Sequence, residues 1–420
     1  MAGSVGANWA GNYRFLGREL HTPDSVEQLQ DLVRATRRIR AIGTRHSFND
    51  LADSAGTLVS LIDREAEPRL DTGRMTVSVA AGTRYGVLAT WLHAQGFALH
   101  NTGSLPHISV AGAVATGTHG SGNALGSLAT AVSGLQLVTG GGELLELDRT
   151  HPDFAGMVVS LGSLGIVTRV TLDIQPTFQV RQDVYVALPW DVVLAEFEAI
   201  TSSAYSVSLF TDWRGDSLQG AWFKTRLAPG ESGSMPSTLF GATAATTEMS
   251  LAEGEGNTTV QGGIPGPWSE RLPHFRADTT PSNGDEIQTE YFVDRRQAPA
   301  ALAAVRALGE SIAPHLHVTE LRTVAADELW LSPATGRPSL AIHFTWKNRP
   351  EAVARLAPQI EGVLAPFDAR PHWGKWNTMT VSEITPLYPR LPAFVALAER
   401  MDPAHRFRNT YLERVLGLAD

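Results

Sequence analysis

The hydrophobic pattern along the chain changes near Pro176. Before this proline, stretches with helical spacing of apolar residues, as in 26–33, take turns with stretches that alternate, as in 75–79. Ser25 stands three residues before Gln28 at the start of the first helical stretch, which is the pattern of a capping box. The first part is therefore predicted to mix helices with short strands.

Beyond Pro176 the predicted elements are longer and follow a repeated order. A strand, a helix and two strands are followed by a second set of the same kind and a further helix, which predicts one sheet covered by helices on one face, an α+β layer. Residues 228–266 are rich in Gly, Ser, Thr and Pro and predict a long loop between the two sets. The predicted bounds are 178–187, 190–200, 204–211, 219–226, 287–293, 298–311, 316–324, 340–346 and 350–364, with a last helix at 391–401.

Composition and charge limit the functional classes. The 420 residues are 43% hydrophobic and 18% charged, which predicts two or three folded domains rather than a disordered chain. With 34 basic against 43 acidic residues the net charge is −9, so no nucleic-acid partner is expected. The chain has no cysteine, which excludes disulfides, zinc–thiolate sites and cysteine nucleophiles. No signal peptide or membrane-spanning run is evident, so a soluble cytoplasmic protein is expected.

Two segments carry candidate chemistry. Residues 103–122, GSLPHISVAGAVATGTHGSG, contain five glycines but neither a dinucleotide-binding fingerprint nor a Walker motif. Their small side chains either let backbone N–H groups approach a flat, anionic cofactor or form an irregular loop between layers. Residues 43–48, GTRHSF, follow a predicted strand as a second candidate phosphate-binding turn, and its His46 is either an ordinary capped histidine or an imidazole bonded covalently to a cofactor. His107 and His119 lack a third ligand at metal spacing, so no metal site is expected.

These two segments, together with SLGSLGIVT at 160–168, resemble the FAD-linked oxidases of the vanillyl-alcohol oxidase type. Within that group the chain resembles the alditol (xylitol) oxidases in particular, through segments that reach from AYSVSLFTDWR at 204–214 to MDPAHRFRN at 401–409. The resemblance implies an FAD-binding domain built from two parts of the chain and a substrate domain based on an antiparallel sheet. The implied bounds are 1–178 for FAD binding, 179–385 for the substrate domain and 386–420 for the return to the FAD-binding domain.

The resemblance also implies the residues that hold the cofactor. In such enzymes the histidine of a G-x-G-H-S turn carries the flavin covalently, so FAD would be attached through His46. Arg45 replaces the second glycine of that turn and has to accept its backbone geometry. Gly103 would stand beside the flavin, where a small residue leaves room for O2. The other implied FAD contacts are Ile42, Gly43, Thr44, Ser47, Ser104, Ser109, Gly112, Thr116, Gly117, Thr118, Gly120, Ser121, Ile166, Val167, His372 and Asn409.

Two predicted strands carry polar side chains in pairs. Glu320 and Arg322 are two residues apart in one strand and share a face, and His343 and Thr345 share a face in the next. Such pairs indicate either an exposed sheet face or one wall of a site, and the resemblance favours the site. The implied substrate-binding set is Ser104, Glu320, Arg322, His343, Thr345 and Lys375.

A neutral polyol would be recognised through hydrogen bonds to this set. Arg322 is expected to stabilise the reduced flavin by its positive charge, and the proton acceptor is left open among His343, Lys375 and Glu320. The implied activity is oxidation of the terminal hydroxyl of an alditol by O2, which gives an aldose and hydrogen peroxide. An aldonolactone oxidase and a non-catalytic nucleotide-binding protein are the alternatives, and a monomer is expected.

Overall fold

The computed structural model describes residues 5–62, 67–228, 230–231, 236–250, 256–279 and 284–419. Within these ranges the first part of the chain builds two small sheets, and the part beyond Phe178 builds one large sheet. No helix in them is long and apolar enough to cross a membrane.

The first small sheet has three parallel strands, and apolar residues of the helix Val26–Ala35 pack against it. Ser25 caps this helix by accepting a hydrogen bond from the N–H of Gln28, as the sequence predicts. The side chain of Gln28 accepts from the N–H of Asp24 rather than from that of Ser25, so the predicted capping box closes one residue earlier. The strands are, in spatial order, Glu19–His21, Thr57–Ser60 and Ile39–Ile42.

The second small sheet has five antiparallel strands and lies in the core of the first part. The helices Tyr85–Ala94 and Val110–Ala115 contribute buried residues to this core. The helices Leu391–Met401 and Thr410–Leu416 contribute to the same core, so the end of the chain packs on the first part. The strands are, in spatial order, Arg69–Asp71, Thr76–Ala80, Ile166–Asp173, Val132–Val138 and Leu144–Asp148.

The large sheet is antiparallel in all its described pairings. At its centre Glu320 lies opposite His343, which on its other side lies opposite Glu290. The strands are, in spatial order, Thr238–Leu239, Ala242–Ala244, Gln179–Val186, Gly220–Leu227, Ser206–Thr211, Leu316–Val324, Ser339–Lys347, Glu286–Asp294 and Arg370–Pro371, with Gly266–Pro267 also paired to Gln179–Val186.

Three helices cover one face of the large sheet. Trp190–Ser202, Ala298–Arg306 and Pro350–Leu364 share a buried apolar cluster with every second residue of the central strands. Phe344 belongs to this cluster, so its neighbour His343 points to the opposite face. The predicted α+β sheet with helices on one face is thereby confirmed.

Short elements complete the described structure. Two-stranded pairs join Phe97–Ala98 to Gln175–Pro176 and Leu188–Pro189 to Ser217–Leu218. The short helices and 3-10 turns are Leu128–Ala131, Phe154–Met157, Trp268–Arg271, Arg295–Gln297, Gly309–Ile312, Ala313–His315, Ala365–Phe367, Val381–Ile384 and Thr385–Leu387.

Two elements differ from the prediction. The helix predicted over 298–311 ends at Arg306 and is followed by the separate turn Gly309–Ile312. A Cβ on Gly309 would lie 2.5 Å from the carbonyl oxygen of Trp213, so this glycine serves a close backbone approach that interrupts the helix. The loop predicted over 228–266 instead contains short strands that extend the edge of the large sheet. Its residues 229, 232–235 and 251–255 lie outside the described ranges.

Candidate active site

One cavity, called the central cavity below, lies between the first part of the chain and the helix-free face of the large sheet. Its first side is formed by the turn 43–48, residues of the segment 103–119 and residues of the loop 160–167. Its second side is formed by polar residues of the strands Leu316–Val324 and Ser339–Lys347. The two groups of predicted site residues, which are distant in the sequence, therefore face the same space.

The turn 43–48 follows directly after a strand of the parallel sheet. In the described structure the N–H groups of Thr44 to Ser47 donate to no other protein group. Arg45 has φ 65°, the left-handed conformation that glycine adopts more readily, so the residue that replaces glycine here keeps the geometry of the turn. Consecutive unpaired N–H groups of this kind bind anions, and a pyrophosphate suits them.

His46 lies at the wall of the central cavity with Nδ1 3.0 Å from the hydroxyl of Thr44. The ring of Trp9 stacks on the imidazole, with the ring centroids 5.2 Å apart. Burial, and then the charge of Lys375, lowers the pKa of His46 to about 4. The imidazole is therefore neutral near pH 7 and has one unprotonated ring nitrogen, as a covalent bond to carbon requires.

Most of the predicted FAD contacts line the central cavity. The polar members of the small-residue segment are joined within it, since the hydroxyls of Thr116 and Thr118 lie 3.1 Å apart. A Cβ on Gly43 would lie 2.7 Å from Oγ of Ser109, so the two segments approach closely. The predicted residues along the cavity are Ile42, Gly43, Thr44, Arg45, His46, Ser47, Gly103, Ser104, Ser109, Gly112, Thr116, Thr118, Val167 and His372.

Three predicted contacts in the glycine-rich segment lie outside the cavity wall and hold the chain instead. Gly117 adopts φ 66°, and a Cβ on Gly120 would lie 2.3 Å from the carbonyl oxygen of Thr102. The hydroxyl of Ser121 accepts from the N–H of Thr323 at 3.3 Å, which ties the segment to the large sheet. Small residues are needed here for backbone packing, and this requirement looks the same in the sequence as a cofactor contact.

Two further predicted contacts also lie outside the wall. Ile166 is buried in the apolar cluster that the helix Val26–Ala35 forms with the parallel sheet. Its neighbour Val167 lines the cavity, because successive residues of a strand point to opposite faces. Asn409 caps the helix Thr410–Leu416, and its side-chain amide donates to the carbonyl groups of Asp50, Leu51 and Asp53. Asn409 thus supports the chain that follows the turn 43–48.

On the sheet side, Arg322 holds the predicted polar residues together. Its guanidinium donates to Glu290 at 2.7 Å and to the hydroxyl of Ser104 at 3.2 Å, and lies 3.6 Å from Glu320. Burial lowers the pKa of Arg322, but the two carboxylates outweigh it and raise the pKa above its ordinary value. Arg322 therefore stays positively charged beside the cavity.

Glu290 is the central residue that the sequence analysis missed. It is 1% exposed and contacts three groups: Arg322, Nε2 of His119 at 3.1 Å and Nδ1 of His343 at 3.4 Å. Burial alone would raise its pKa, but the charge of Arg322, and then the two histidines, hold the pKa well below its ordinary value. The available signal was the recurrence of polar residues at 286, 288 and 290 in the strand Glu286–Asp294.

His343 and Lys375 face the same end of the cavity. Burial lowers the pKa of His343, so its imidazole is neutral near pH 7, with Nε2 3.2 Å from the hydroxyl of Thr345. Burial also lowers the pKa of Lys375, to about 8. The ammonium of Lys375 donates to the side-chain oxygen of Gln288, a second cavity residue that the sequence analysis did not single out.

No group of three or more His, Asp or Glu in the described ranges is arranged to hold a metal ion. His119 is 2% exposed and bonds to Glu290 and to the carbonyl group of Gly120. His107 lies at the other end of the segment, with its ring less deeply buried than that of His119.

FAD fits the central cavity on the chemistry of its wall. The turn 43–48 offers unpaired N–H groups for a pyrophosphate, and His46 offers a neutral imidazole. Arg322 and Lys375 supply positive charge at the wall, and cations stabilise a reduced flavin. The fold and this wall define an FAD-dependent oxidoreductase with a polar substrate side.

Comparison with known proteins agrees with this class. Residues 19–148 match the model of the FAD binding domain family, and residues 280–415 match the model of the D-arabinono-1,4-lactone oxidase family. The fold is similar to that of cholesterol oxidase from B. sterolicum, with a TM-score of 0.77 and 15% identity over 98% of this chain and 96% of that one.

Full-length relatives narrow the group. The chain is 45% identical over 414 residues to the alditol oxidase of a Streptomyces species, covering 97% of this chain and 98% of the relative. It is 26% identical over 439 residues to L-gulono-1,4-lactone dehydrogenase of Mycobacterium tuberculosis, covering 98% of this chain and 99% of the relative. The chain belongs to the FAD-linked oxidases of the vanillyl-alcohol oxidase type, in the group that includes this alditol oxidase, and its cofactor is FAD.

Proposed function

We propose that the protein oxidises the terminal primary hydroxyl of an alditol, such as xylitol or sorbitol, with O2, giving the aldose and hydrogen peroxide. The observation that carries the proposal is the 45% identity to an alditol oxidase over nearly the whole chain. The central cavity agrees with it, because six hydrogen-bonding side chains in its wall suit a neutral polyol. These are Ser104, Glu320, Arg322, His343, Thr345 and Lys375.

The redox chemistry would be supplied by bound FAD, as acceptor of a hydride from the carbinol carbon and donor of the electrons to O2. The residues orient the substrate and move its proton. His343 accepts the hydroxyl proton, because it is neutral near pH 7 and Glu290 lies 3.4 Å from its other ring nitrogen. The charge of Lys375 stabilises the substrate oxygen while it loses that proton. Glu320 and Thr345 accept hydrogen bonds from the remaining hydroxyls.

The proposal includes covalent attachment of FAD through His46. The neutral imidazole at the cavity wall supports it. Acid precipitation of the purified protein is expected to give a yellow pellet, since a covalent flavin stays with the denatured chain. In His46→Ala the pellet is expected to be colourless and the flavin to appear in the supernatant. A coloured pellet from this variant would refute the linkage.

The activity is tested by peroxide release with xylitol and sorbitol against L-gulono-1,4-lactone. A second candidate, an aldonolactone oxidase, is favoured by the family match over 280–415. Faster peroxide release with the lactone would establish that candidate instead. A protein that holds FAD without any turnover would be a non-catalytic nucleotide-binding protein.

Further parts of the proposal concern access and organisation. Gly103 leaves room beside the flavin for O2, and a Cβ there would lie no closer than 3.4 Å to another atom, so Gly103→Val is expected to fold and to react more slowly with O2. The domain bounds 1–178, 179–385 and 386–420 agree with the large sheet beginning at Gln179 and with the last helices packing on the first part. We also propose that the protein is a cytoplasmic monomer.

A further inference from the structure

Behind Glu320, two buried residues that the mechanism above does not use form a chain of hydrogen bonds. Nε2 of His274 lies 2.6 Å from Oε1 of Glu320, and Nδ1 of His274 lies 3.0 Å from Nζ of Lys224. Lys224 is 1% exposed and His274 is 5% exposed. His274 and Glu320 line the central cavity, whereas Lys224 does not.

The hydrogen-bond partners of Lys224 determine whether Nδ1 of His274 carries a proton. Burial lowers the pKa of Lys224 to about 7, and below that pH its side chain is an ammonium group with three N–H donors and no acceptor. Nζ of Lys224 has three acceptors: the carbonyl oxygen of Leu272 at 2.6 Å, that of Pro273 at 3.0 Å and Nδ1 of His274. Nδ1 therefore accepts a hydrogen bond and carries no proton.

The contact between His274 and Glu320 requires the same position of the proton on the imidazole ring. Glu320 is ionised, because Arg322 and His274 outweigh the effect of burial and hold its pKa well below the ordinary value. An ionised carboxylate only accepts hydrogen bonds, so Nε2 of His274 must donate to it. Burial, and then the charge of Lys224, lowers the pKa of His274 to about 4, so the ring is neutral and its one proton is on Nε2.

The surroundings of His274 allow little freedom. The ring of Trp222 lies edge-on at 5.0 Å and that of Phe210 at 5.9 Å, and the hydroxyl of Ser208 lies 3.4 Å from Nε2. The backbone N–H of His274 donates to the carbonyl oxygen of Ser104 at 3.1 Å. The same residue therefore touches two members of the substrate-binding set.

We propose that Lys224 and His274 are positioning residues that hold the carboxylate of Glu320 ionised and fixed toward the substrate hydroxyls. This inference rests on the proposed polyol oxidation. With Oε1 occupied by His274, Oε2 is left to Arg322, at 3.6 Å, and to the substrate. Without the hydrogen bonds that run from Lys224 through His274 to Glu320, called the relay below, Glu320 would be free to turn toward Arg322. The acceptor for the substrate hydroxyls would then be lost.

The kinetic test compares two substitutions of His274. In His274→Gln the amide can still donate to Glu320 and accept from Lys224, whereas His274→Phe removes both hydrogen bonds. We expect His274→Phe to raise KM for xylitol by about tenfold or more, with a smaller change in kcat, and His274→Gln to stay within about threefold of the wild type. Equal impairment in both variants, or none in His274→Phe, would overturn the proposal.

Lys224→Met tests the far end of the relay, with Lys347→Met as the control, since Lys347 lies on the surface of the same sheet. Flavin content and melting temperature show whether each variant has folded. Lys224→Met is expected to raise KM for xylitol in the same direction as His274→Phe. An unchanged KM in folded Lys224→Met would contradict the relay.

A third measurement does not depend on polyol oxidation. Long-range 1H–15N NMR spectra of protein labelled at the histidine ring nitrogens report the tautomer, and the His274 signals are those missing from His274→Gln. We expect the Nε2–H tautomer, and a changed Nδ1 chemical shift in Lys224→Met, where Nδ1 loses its hydrogen-bond donor. An Nδ1–H tautomer or a doubly protonated ring would refute the relay even if polyols are oxidised. The expected tautomer without polyol turnover would refute the proposed function and leave the relay standing.

Discussion

At the scale of single residues, burial acts on His343 and Lys375 in the same direction. Both groups are basic, and loss of water lowers the pKa of each. For His343 the result is a neutral ring that can accept a proton near pH 7. For Lys375 the pKa of about 8 leaves the ammonium charged at neutral pH and allows it to titrate in mildly alkaline solution.

These shifts predict a bell-shaped dependence of kcat/KM on pH. Activity is expected to fall on the acid side, where His343 becomes protonated at a pH below the ordinary pKa of histidine, and on the alkaline side as pH rises through about 8, where Lys375 loses its charge. Steady-state rates of peroxide release with xylitol across this range provide the measurement. Lys375→Arg keeps the charge, so its alkaline limb is expected to move to higher pH. An alkaline limb that stays in place would assign it to another group.

Glu290 gives a second prediction at this scale. Glu290→Gln removes a buried negative charge that faces Arg322, His119 and His343. The free energy of unfolding is expected to fall by about 3–5 kcal/mol, and kcat is expected to fall because His343 loses its orienting partner. Denaturant unfolding and xylitol kinetics measure the two effects. Glu413→Gln, at an exposed position, is the matched control, and equal behaviour of the two variants would contradict the assigned role.

Site residues that belong to a local sequence pattern could be predicted, whereas site residues brought together by contacts between distant segments could not. A strand places every second side chain on the same face. This makes two polar pairs visible in the sequence: Glu320 with Arg322, and His343 with Thr345. His274 and Lys224 meet only because a strand at 220–227 packs beside the chain at 272–274, and no spacing in the sequence shows this contact.

At the scale of elements, the N-terminal segment is part of the turn that holds His46. The N–H of Trp9 donates to the carbonyl oxygen of Arg45 at 2.8 Å, and the side chain of Asn8 donates to that of Ser47 at 2.9 Å. The guanidinium of Arg45 donates to the carbonyl group of Val5. These bonds offset the cost of the left-handed conformation at Arg45, which is about 1–2 kcal/mol for a non-glycine residue.

Removal of the indole is therefore expected to affect flavin attachment. In Trp9→Ala the imidazole of His46 loses its stacking partner, and the covalent fraction of flavin is expected to fall. Trp9→Phe keeps an aromatic ring and is expected to stay close to the wild type. The ratio of flavin in the acid pellet to total flavin measures this fraction. Complete attachment in Trp9→Ala would show that the stacking has no such role.

Elements with clear periodicity were predicted closely, and those without it were not. The strand Ser339–Lys347 extends only one residue beyond each predicted bound, because apolar Ile342, Phe344 and Trp346 alternate with polar residues. The helix Val110–Ala115 was not predicted, since it is made of Val, Ala and Gly, and no polar residue marks the side opposite its buried Val110, Ala113 and Val114. Composition alone does not separate such a helix from a loop of small residues.

At the scale of the whole molecule, the central cavity has one wall from each half of the fold, so the cofactor contacts both halves. A ligand bound only by the folded state stabilises it in proportion to the logarithm of its concentration. In His46→Ala, where FAD is not attached, each tenfold increase in free FAD above Kd is expected to add about 1.4 kcal/mol of stability. Thermal unfolding at several FAD concentrations tests this, and a melting temperature independent of FAD would contradict it.

The central strands of the large sheet have alternate residues on its two faces, one packed on the helices and one lining the cavity. In Ser339–Lys347 the residues Phe344 and Trp346 pack on the helices, whereas His343 and Thr345 face the cavity. Substitutions at cavity-facing positions therefore leave the helix-packed layer untouched. A change from one sugar-derived substrate to another, in evolution or in a focused library, can therefore proceed at positions such as 288, 318 and 345 without repacking of the helices on the sheet.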